Sequence, residues 1–229
     1  MTFQVPKFEL KIPEVPITNQ RILDAVEKAL SFYDTVSLKD IDFTHFGTFK
    51  LRVKRAKFLR ALLQTIKPDY TLELGSGGST IYFAMEVKKH HTAFEHLDWC
   101  YERTTDALFD YDLENKATVH LLGMSDDTGM YEFMPEMIPG PIDLLLIDGP
   151  PVSPKRKGRP RWERWNTLPF LMEFLSESAI VLLDSTERVF EQEYLQKWCE
   201  DYGIAFLNPG DPGSRLQGLG VIDPWHSIR

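Results

Sequence analysis

The sequence predicts an α/β fold: a doubly wound, mostly parallel β-sheet that is covered by helices on both faces. From Thr71 onward, short apolar runs alternate with segments of helical periodicity, which is typical of parallel strands joined by crossover helices. The runs 142–147 and 179–183 are almost continuously apolar, as central strands buried on both faces are. The first run also breaks into glycines and re-enters a helix, which is typical of a turn that binds a nucleotide-type cofactor.

The composition limits the classes of protein that the chain can belong to. Its 229 residues are 43% hydrophobic and 26% charged, which is enough to bury one sizeable core. The net charge of -8 argues against nucleic acid or an anionic membrane as the main partner. The two cysteines, Cys100 and Cys199, have no paired spacing, and no apolar run approaches transmembrane length. We therefore predict a soluble, cytoplasmic protein with neither a disulfide framework nor a zinc cluster.

The first 49 residues are predicted to form an arm and a helix outside the main domain. Three prolines up to residue 17 favour an extended arm over a helix. From residue 18, apolar residues recur at helical spacing, with Thr18 or Asn19 as the cap. The sequence leaves open whether this part is a lid over the site, a tether, or a contact in a homo-oligomer.

The main domain is predicted to span residues 50–229 and to begin with a second helix. This helix runs from about residue 49 to residue 66, where Pro68 stops it. Its basic side chains are predicted to form a solvated helix surface rather than a binding patch: Arg52, Lys54, Arg55, Lys57 and Arg60.

The remaining elements alternate along the chain. Strands are predicted at 71–74, 91–95, 117–122, 142–147, 179–183 and 203–207, with a last one near 218–222. Helices are predicted at 79–88, 98–110, 165–177 and 187–201.

Acidic residues follow several of the predicted strands. In a doubly wound sheet, ligands bind outside the carboxyl ends of the strands, and four acids lie at those ends: Glu73, Glu95, Asp148 and Asp184. One such acid alone could equally be a helix cap or a salt-bridge partner. Because crowding four like charges is costly, the four together favour a ligand site. Glu95 lies 20 residues after Gly75, the offset at which an acid binds ribose hydroxyls.

The glycine run discriminates between two kinds of ribose-containing cofactor. The dinucleotide fingerprint requires glycine or alanine at its sixth position, where this chain has Thr80. Glu73 beside the turn is unfavourable for a diphosphate and favourable for a cationic or zwitterionic ligand. The sequence therefore favours a ligand with a ribose and an amino group, and a NAD(P)-dependent oxidoreductase stays as the alternative.

Four segments resemble successive motifs of class I S-adenosylmethionine-dependent methyltransferases: TLELGSGGST, TAFEHLDWCYERT, IDLLLIDGPP and AIVLLDSTERV. They are most similar to the O-methyltransferase-like branch whose fourth strand ends in Asp-Gly-Pro, and the resemblance spans roughly residues 50 to 225. It implies a Rossmann-like, seven-stranded sheet in which 204–207 and 219–222 form an antiparallel closing pair, with the N-terminal helix as an extension.

The resemblance also implies roles for individual residues. Glu95 would bind the ribose hydroxyls, with His96 as its neighbour, and Asp148 would face the methionine end of the cofactor and the reaction centre. The residues around the methionine part would be Glu73, Gly75, Ser76, Gly77 and Ser79. Those near the adenine would be Met124, Ser125 and Asp126.

Catalysis by such a site depends on positioning the acceptor and removing its proton. Asp148 and Asp184 are the candidate bases. They are also candidate ligands of Mg²⁺, which is left open because Ser185 follows Asp184 where catechol-type relatives have Asn or Asp. Arg188 either orients the substrate or forms an ordinary ion pair with Glu191.

Two further regions are candidates for contact with the acceptor. His45, between Phe43 and Phe46, is either a base or part of an aromatic cluster. The loop 153–164 is basic, so it is either solvated or binds an anionic acceptor through Lys155, Arg156, Arg159, Arg161 and Trp162. The prediction is a methyltransferase that acts on a hydroxyl of a small, anionic or glycosidic acceptor. A non-catalytic cofactor-binding protein is a further alternative.

Overall fold

A computed structural model of the chain describes residues 16–38, 41, 46, 52–125, 127–150, 164, 166–209 and 218–227. Seven strands form one sheet: β1 (Tyr70–Leu74), β2 (His90–Glu95), β3 (Ala117–Leu121), β4 (Ile142–Ile147), β5 (Leu175–Asp184), β6 (Ala205–Leu207) and β7 (Leu219–Asp223). The helices that the described residues form are α1 (Gln20–Phe32), α2 (Val53–Ile66), α3 (Gly78–Glu86), α4 (Asp98–Asp110), α5 (Thr167–Leu171) and α6 (Val189–Tyr202). The predicted α/β fold with seven strands is confirmed.

The strand order places β1 and β4 at the centre of the sheet. The order is β3-β2-β1-β4-β5-β7-β6, and the pairs from β3 across to β5 are all parallel. Strand β7 pairs antiparallel with both β5 and β6, so the predicted antiparallel closing pair is confirmed. The chain reverses its winding between β1 and β4, and a crevice outside the carboxyl ends of the strands is expected at such a reversal.

The core lies on both faces of the sheet. Along β4, Leu144 and Leu146 pack into one apolar cluster, whereas Leu145 and Ile147 pack into the other. The first cluster includes residues of α1 to α4, and the second includes residues of α5 and α6. Because successive strand residues point to opposite faces, the part of a strand that is buried on both sides must be apolar, which explains the continuous apolar run from Leu144 to Ile147.

The two N-terminal helices begin and end at local signals. The side chain of Asn19 caps α1 by accepting a hydrogen bond from the Arg21 amide at 3.2 Å. Helix α2 ends at Lys67, a left-handed residue whose N–H donates to the Leu63 carbonyl, directly before Pro68. Helix α1 buries Ile22, Ala25, Val26 and Ala29 in the same cluster as α2. The predicted boundary between residues 49 and 50 stays a prediction.

The basic face of α2 differs from the prediction. Arg55 is only 3% exposed, although the sequence predicts a solvated surface. Arg60 donates from Nε to Glu86 at 2.9 Å, and Lys57 donates to the Asp34 carbonyl at 2.6 Å. The prediction was wrong for Arg55, because the first turn of the helix packs over the carboxyl end of β5, where Arg55 contacts the carboxylates of Asp184 and Glu187.

One predicted helix is replaced largely by other structure. Residues 165–177 were expected to be helical, but α5 stops at Leu171, a 3₁₀ turn follows over Met172–Phe174, and β5 begins at Leu175. Pairing of Leu175 with Ile142 extends the central sheet and outweighs helical propensity there. Within the described residues, none of the helices has the length and apolar composition needed to cross a membrane.

Candidate active site

A cavity of about 310 Å³ opens at the carboxyl ends of β1, β2, β4 and β5. This size lies at the lower end of the range typical of small-molecule sites. The cavity spans from Glu95 at the end of β2 to Asp184 at the end of β5, and these strands are three strand spacings apart, or roughly 14 Å. Its lining residues are Arg52, Arg55, Gly75, Ser76, Glu95, His96, Leu97, Cys100, Tyr131, Asp148, Gly149, Arg164, Asp184, Ser185, Glu187 and Arg188.

The floor of the cavity is formed by two glycines. Gly75 has φ +97°, a left-handed conformation that favours glycine, and its N–H donates to the Phe94 carbonyl at 2.8 Å. A Cβ at Gly149 would clash with the Tyr131 hydroxyl and lie only 3.0 Å from the Gly75 amide nitrogen. Side chains at both positions are therefore excluded, which lets the turns after β1 and β4 approach each other and leaves a cradle for a ligand.

Glu95 is fixed by the loops on either side of it. Its Oε2 accepts from the Ser76 amide at 2.9 Å and the Ser76 hydroxyl at 3.1 Å. Its Oε1 accepts from the amides of His96 at 2.7 Å and Leu97 at 2.9 Å. Burial by itself would raise the pKa of Glu95, but hydrogen bonds from His96 and Leu97 outweigh it and lower the pKa. The carboxylate is therefore held charged at the rim.

Glu73 lies beneath the cavity and is not among the residues that line it. Because Leu72 and Leu74 point to one face of the sheet, Glu73 points to the other, where α3 covers it. Its carboxylate accepts from the Ser79 hydroxyl and from the Thr80 hydroxyl at 2.7 Å. Burial raises the pKa of Glu73 to about 7. The geometry shows an acid that anchors the start of α3 to the sheet.

Asp148 lies at the centre of the cavity, directly after β4. Burial, followed by the negative charge of Asp184, raises the pKa of Asp148 to about 7. The Asp148 carbonyl accepts a hydrogen bond from Nη2 of Arg164, whose Nε also donates to the Pro150 carbonyl at 2.8 Å. Arg164 is 2% exposed, and its Nη1 lies 3.4 Å from Glu191. This arginine therefore fixes the loop that carries Asp148.

Asp184 is engaged through both of its oxygens. Nη1 of Arg55 donates to Oδ1 at 2.6 Å, and the Ser185 hydroxyl donates to Oδ2 at 2.8 Å. Nη2 of Arg55 lies 3.2 Å from both carboxylate oxygens of Glu187. Ser185 has φ +67°, an uncommon conformation for a residue other than glycine, and such residues cluster at functional sites.

The fit of a magnesium ion can be judged from these contacts. Mg²⁺ requires near-octahedral oxygen ligands at close range. Here a guanidinium lies against one oxygen of Asp184 and a hydroxyl donates to the other, so neither faces a cation freely. No cluster of three or more metal-ligating side chains occurs among the residues that the structure describes. Divalent metal does not fit this arrangement.

Tyr131 brings an unsatisfied polar group to the cavity. Its side chain is 3% exposed, and its hydroxyl has no hydrogen-bond partner among the described residues. Burial raises the pKa of Tyr131, so the group stays a neutral phenol. The hydroxyl is therefore available to donate a hydrogen bond to a ligand that binds in the cavity.

The structure brings together only part of the predicted site. Seven predicted residues line the cavity: Gly75, Ser76, Glu95, His96, Asp148, Asp184 and Arg188. Five others do not line it in the described part of the chain: Glu73, Gly77, Ser79, Met124 and Ser125. Met124 and Ser125 instead belong to a turn in which Ser125 N–H donates to the Met130 carbonyl. The rest lie outside the described residues: His45, Asp126, Lys155, Arg156, Arg159, Arg161 and Trp162.

Sequence reasoning missed nine lining residues, among them Arg55, Tyr131, Arg164 and Glu187. Arg55 was assigned to a solvated face, and Arg164 was counted only as one charge of a basic loop. The one indication that Arg55 belongs to the site is its position in the first turn of a helix that packs next to the strand ends that carry the acidic residues. No local pattern distinguishes Tyr131 from an ordinary core aromatic.

Comparison with solved structures supports the fold. The chain is similar to cofactor-bound Rv0187 from MTB, with a TM-score of 0.57 and 17% identity over 87% of this chain and 88% of that one. It is similar to an O-methyltransferase from Bacillus cereus in complex with SAH, with a TM-score of 0.55 and 13% identity over 87% and 89% of the two chains.

A third similar structure is the O-methyltransferase TomG from Streptomyces achromogenes, which is involved in tomaymycin synthesis and was solved with SAM. Its TM-score is 0.55, with 13% identity over 91% of this chain and 90% of TomG. No protein-family profile matches the chain, and no curated protein matches it in sequence. These similarities establish that the chain has the Rossmann-like fold of these methyltransferases.

Proposed function

We propose that the protein is an S-adenosylmethionine-dependent methyltransferase that transfers a methyl group to a hydroxyl of a small, anionic acceptor. The observation that carries this proposal is the pairing of Glu95 with the glycine turn. The carboxylate lies in the cavity, 2.9 Å from the Ser76 amide, and its pKa is lowered. A carboxylate held charged at this point can accept hydrogen bonds from the two hydroxyls of a ribose. The fold that the chain shares with cofactor-bound methyltransferases supports the same proposal.

The cavity suits the cofactor better than it suits a dinucleotide. S-Adenosylmethionine carries positive charge on its sulfur and amino group, and the acids Glu95 and Asp148 line the half of the cavity that we assign to it, the cofactor half. The other half, lined by Arg55 and Asp184, is then the acceptor half, and Asp148 lies between the two. The Gly149 cradle and the unpaired hydroxyl of Tyr131 provide space and a polar contact. At the start of α3, the Gly77 N–H donates to the Thr80 hydroxyl at 3.0 Å. An amide that a pyrophosphate would need is thus already used within the protein.

The protein's own residues supply positioning and proton transfer. The bound cofactor supplies an electrophilic methyl group on a positively charged sulfur. Asp148 lies at the reaction centre, and its pKa of about 7 matches the requirement for a general base near neutral pH. Arg164 holds the Asp148 loop through two carbonyls, which keeps the carboxylate in place between the two halves of the cavity.

An anionic acceptor is favoured by the charges at the mouth of the cavity. The side chains of Arg52 and Arg188 line it and are 71% and 58% exposed. Their ion pairs are loose: Arg52 lies 4.0 Å from Glu187, and Arg188 lies 3.8 Å from Glu191. Exposed pairs of this kind are weak, so the guanidinium groups can exchange them for a carboxylate or phosphate of the acceptor.

Calorimetry with S-adenosylhomocysteine tests the proposal. Wild-type protein should bind one molecule per chain, and Glu95→Gln should weaken binding about 10- to 100-fold through loss of charge-assisted hydrogen bonds. Glu102→Gln, an exposed change on α4, is the matched control. Absence of binding by the wild-type protein would contradict the proposal, and a fluorescence change on titration with NADH would favour the oxidoreductase.

The acceptor requires a separate screen. The protein is incubated with labelled S-adenosylmethionine and a panel of phenols, hydroxy acids and sugar phosphates. We expect the anionic acceptors of the panel to be methylated faster than the neutral ones. Binding of the cofactor without turnover across the panel would instead favour a non-catalytic cofactor-binding protein.

A further inference from the structure

The acceptor half of the cavity contains a buried cation that belongs to the protein. Arg55 has a side chain only 4% exposed, contacts Asp184, and lines the same cavity as Asp148. One of its terminal nitrogens contacts Asp184 and the other contacts Glu187. Arginine keeps its charge under all ordinary conditions, so this position of the site is permanently positive.

The same position is where a divalent cation would have to bind. The two acids at the ends of β4 and β5, Asp148 and Asp184, converge on the acceptor half of the cavity. A metal ion bridging them would have to bind the Asp184 carboxylate, whose Oδ1 accepts from Arg55 at 2.6 Å and whose Oδ2 accepts from Ser185 at 2.8 Å. A metal ion and a guanidinium cannot share that carboxylate in a buried site without strong repulsion.

The surrounding chain is built to accommodate the guanidinium. A Cβ at Gly218 would clash with Nη2 of Arg55 and with the Glu187 carboxylate that contacts it. The Gly218 carbonyl also accepts from the Thr186 amide at 2.9 Å, which closes the turn after β5 over the pair. Ser185, in its left-handed conformation, directs its hydroxyl back to Asp184. Three separate features thus hold Arg55 and Asp184 together.

We propose that Arg55 takes the place of a divalent metal in this site, as a fixed cation that neutralises Asp184 and positions the acceptor oxygen beside Asp148. The proposal rests on the methyltransferase function proposed above. The acceptor hydroxyl gives its proton to the Asp148 carboxylate, and its oxygen forms the new bond to the methyl carbon. The bond from that carbon to sulfur breaks, and its electron pair stays on sulfur, which becomes a neutral thioether. No metal ion is needed to balance these changes.

The proposal is tested by measuring the binding of a metal ion to the protein directly. Wild-type protein saturated with S-adenosylhomocysteine is titrated with Mn²⁺, and the free ion is followed by electron paramagnetic resonance. We expect no stoichiometric uptake, as for the Asp184→Asn variant. Stoichiometric uptake by the wild-type protein that Asp184→Asn abolishes would overturn the proposal. This measurement uses the native chain, so it does not depend on the folding of a variant.

A gain of metal binding distinguishes replacement of a metal from a purely structural ion pair. Arg55→Met combined with Ser185→Asn frees Asp184 and supplies a third oxygen ligand. We expect this variant to bind one Mn²⁺ per chain, displaceable by Mg²⁺, whereas Arg55→Lys should bind none. A double variant that binds S-adenosylhomocysteine like the wild type but takes up no Mn²⁺ would also overturn the proposal. Failure of the wild-type protein to bind S-adenosylhomocysteine would instead count against the methyltransferase function itself.

Discussion

Arg55 and Asp184 are separated by 129 positions in the chain, yet Nη1 of the arginine lies 2.6 Å from Oδ1 of the aspartate. The contact ties the first turn of α2 to the end of β5. Both side chains are shielded from solvent, with 4% and 11% exposure. Removal of one partner from a buried pair leaves an uncompensated charge, which costs far more than an exposed pair contributes.

Loss of Arg55 should therefore destabilise the protein. Arg55→Met is expected to lower the free energy of unfolding by about 3–5 kcal/mol, because Asp184 and Glu187 would lose their shared cation. Urea denaturation followed by circular dichroism measures the change. Lys54→Met, one residue earlier on the same helix, is the control and should cost less than about 1 kcal/mol. Equal effects of the two substitutions would show that the ion pair is not a major support of the fold.

Gly218 should be intolerant of any side chain. Gly218→Ala would place a methyl group against both Glu187 and Arg55, and the residue has φ +91°. Strain at this backbone conformation costs about 1 kcal/mol or more, and the clash adds to it.

A double-mutant cycle separates the two terms in the Gly218→Ala effect. In a Glu187→Ala background the clash with the carboxylate is absent, so Gly218→Ala should cost less than it does in the wild-type protein. The measurement is the thermal unfolding midpoint of the four proteins. A Gly218→Ala effect that is identical in both backgrounds would show that the clash with the Glu187 carboxylate contributes nothing to the cost.

The sequence predicts those parts of the site that follow from strand order. Glu95, Asp148 and Asp184 each lie at the carboxyl end of a strand, and parallel strands bring these ends to one edge of the sheet, so the convergence of the three acids was predictable. Glu73 also lies near the carboxyl end of its strand, but it does not line the cavity. The alternation of side chains along β1 places it on the face of the sheet that α3 covers. Position at a strand end therefore predicts proximity to the site but does not predict which face the side chain takes.

Contacts between distant segments were not predictable from local pattern. The charges of α2 have the spacing of a solvated face, and only the tertiary position of the helix shows that Arg55 is buried. Residues 172–177 carry no strong strand signal, yet pairing with Ile142 draws Leu175 into β5. In both cases a long-range partner decides the outcome, and one sequence does not specify that partner.

Glu73 should make stability depend on pH. Burial raises its pKa to about 7 in the folded protein, from an ordinary value of 4.5. Between these pH values the native state binds the proton more tightly than the unfolded state, so stability falls as pH rises through this window. The full contribution is about 3 kcal/mol, from a shift of roughly 2.5 pH units.

Comparison with Glu73→Gln isolates this contribution. The variant keeps the shape of the side chain and removes the titration, so its stability relative to the wild type should increase from pH 5 to pH 8. His91 Nε2 lies 3.6 Å from Glu73, but burial lowers the pKa of His91 to about 3, so the folded protein keeps it neutral between pH 5 and pH 8 whether position 73 is Glu or Gln, and it adds the same slope to both profiles. Chemical denaturation at several pH values gives the two profiles, with Glu102→Gln as the control. Parallel profiles for wild type and Glu73→Gln would contradict a raised pKa.

Tyr131 should contribute to ligand binding and not to the stability of the ligand-free protein. Its buried hydroxyl has no partner among the described residues, so Tyr131→Phe removes a desolvated polar group at no loss of a hydrogen bond. We expect the unfolding midpoint of the ligand-free variant to be unchanged or raised.

The affinity of Tyr131→Phe for S-adenosylhomocysteine should fall about 5- to 10-fold, which is the contribution of one hydrogen bond of about 1 kcal/mol. Calorimetry on both proteins measures it. Tyr70→Phe, at the opposite end of β1 from the cavity, is the control and should bind like the wild type. If Tyr131→Phe lowers the unfolding midpoint and leaves the affinity for S-adenosylhomocysteine unchanged, the hydroxyl stabilises the folded protein and takes no part in ligand recognition. The opposite pair of results would make Tyr131 a residue of the cofactor site. No strand-end rule could have identified it, since it lies beyond β3 on a segment that packs beside His96 and Gly149.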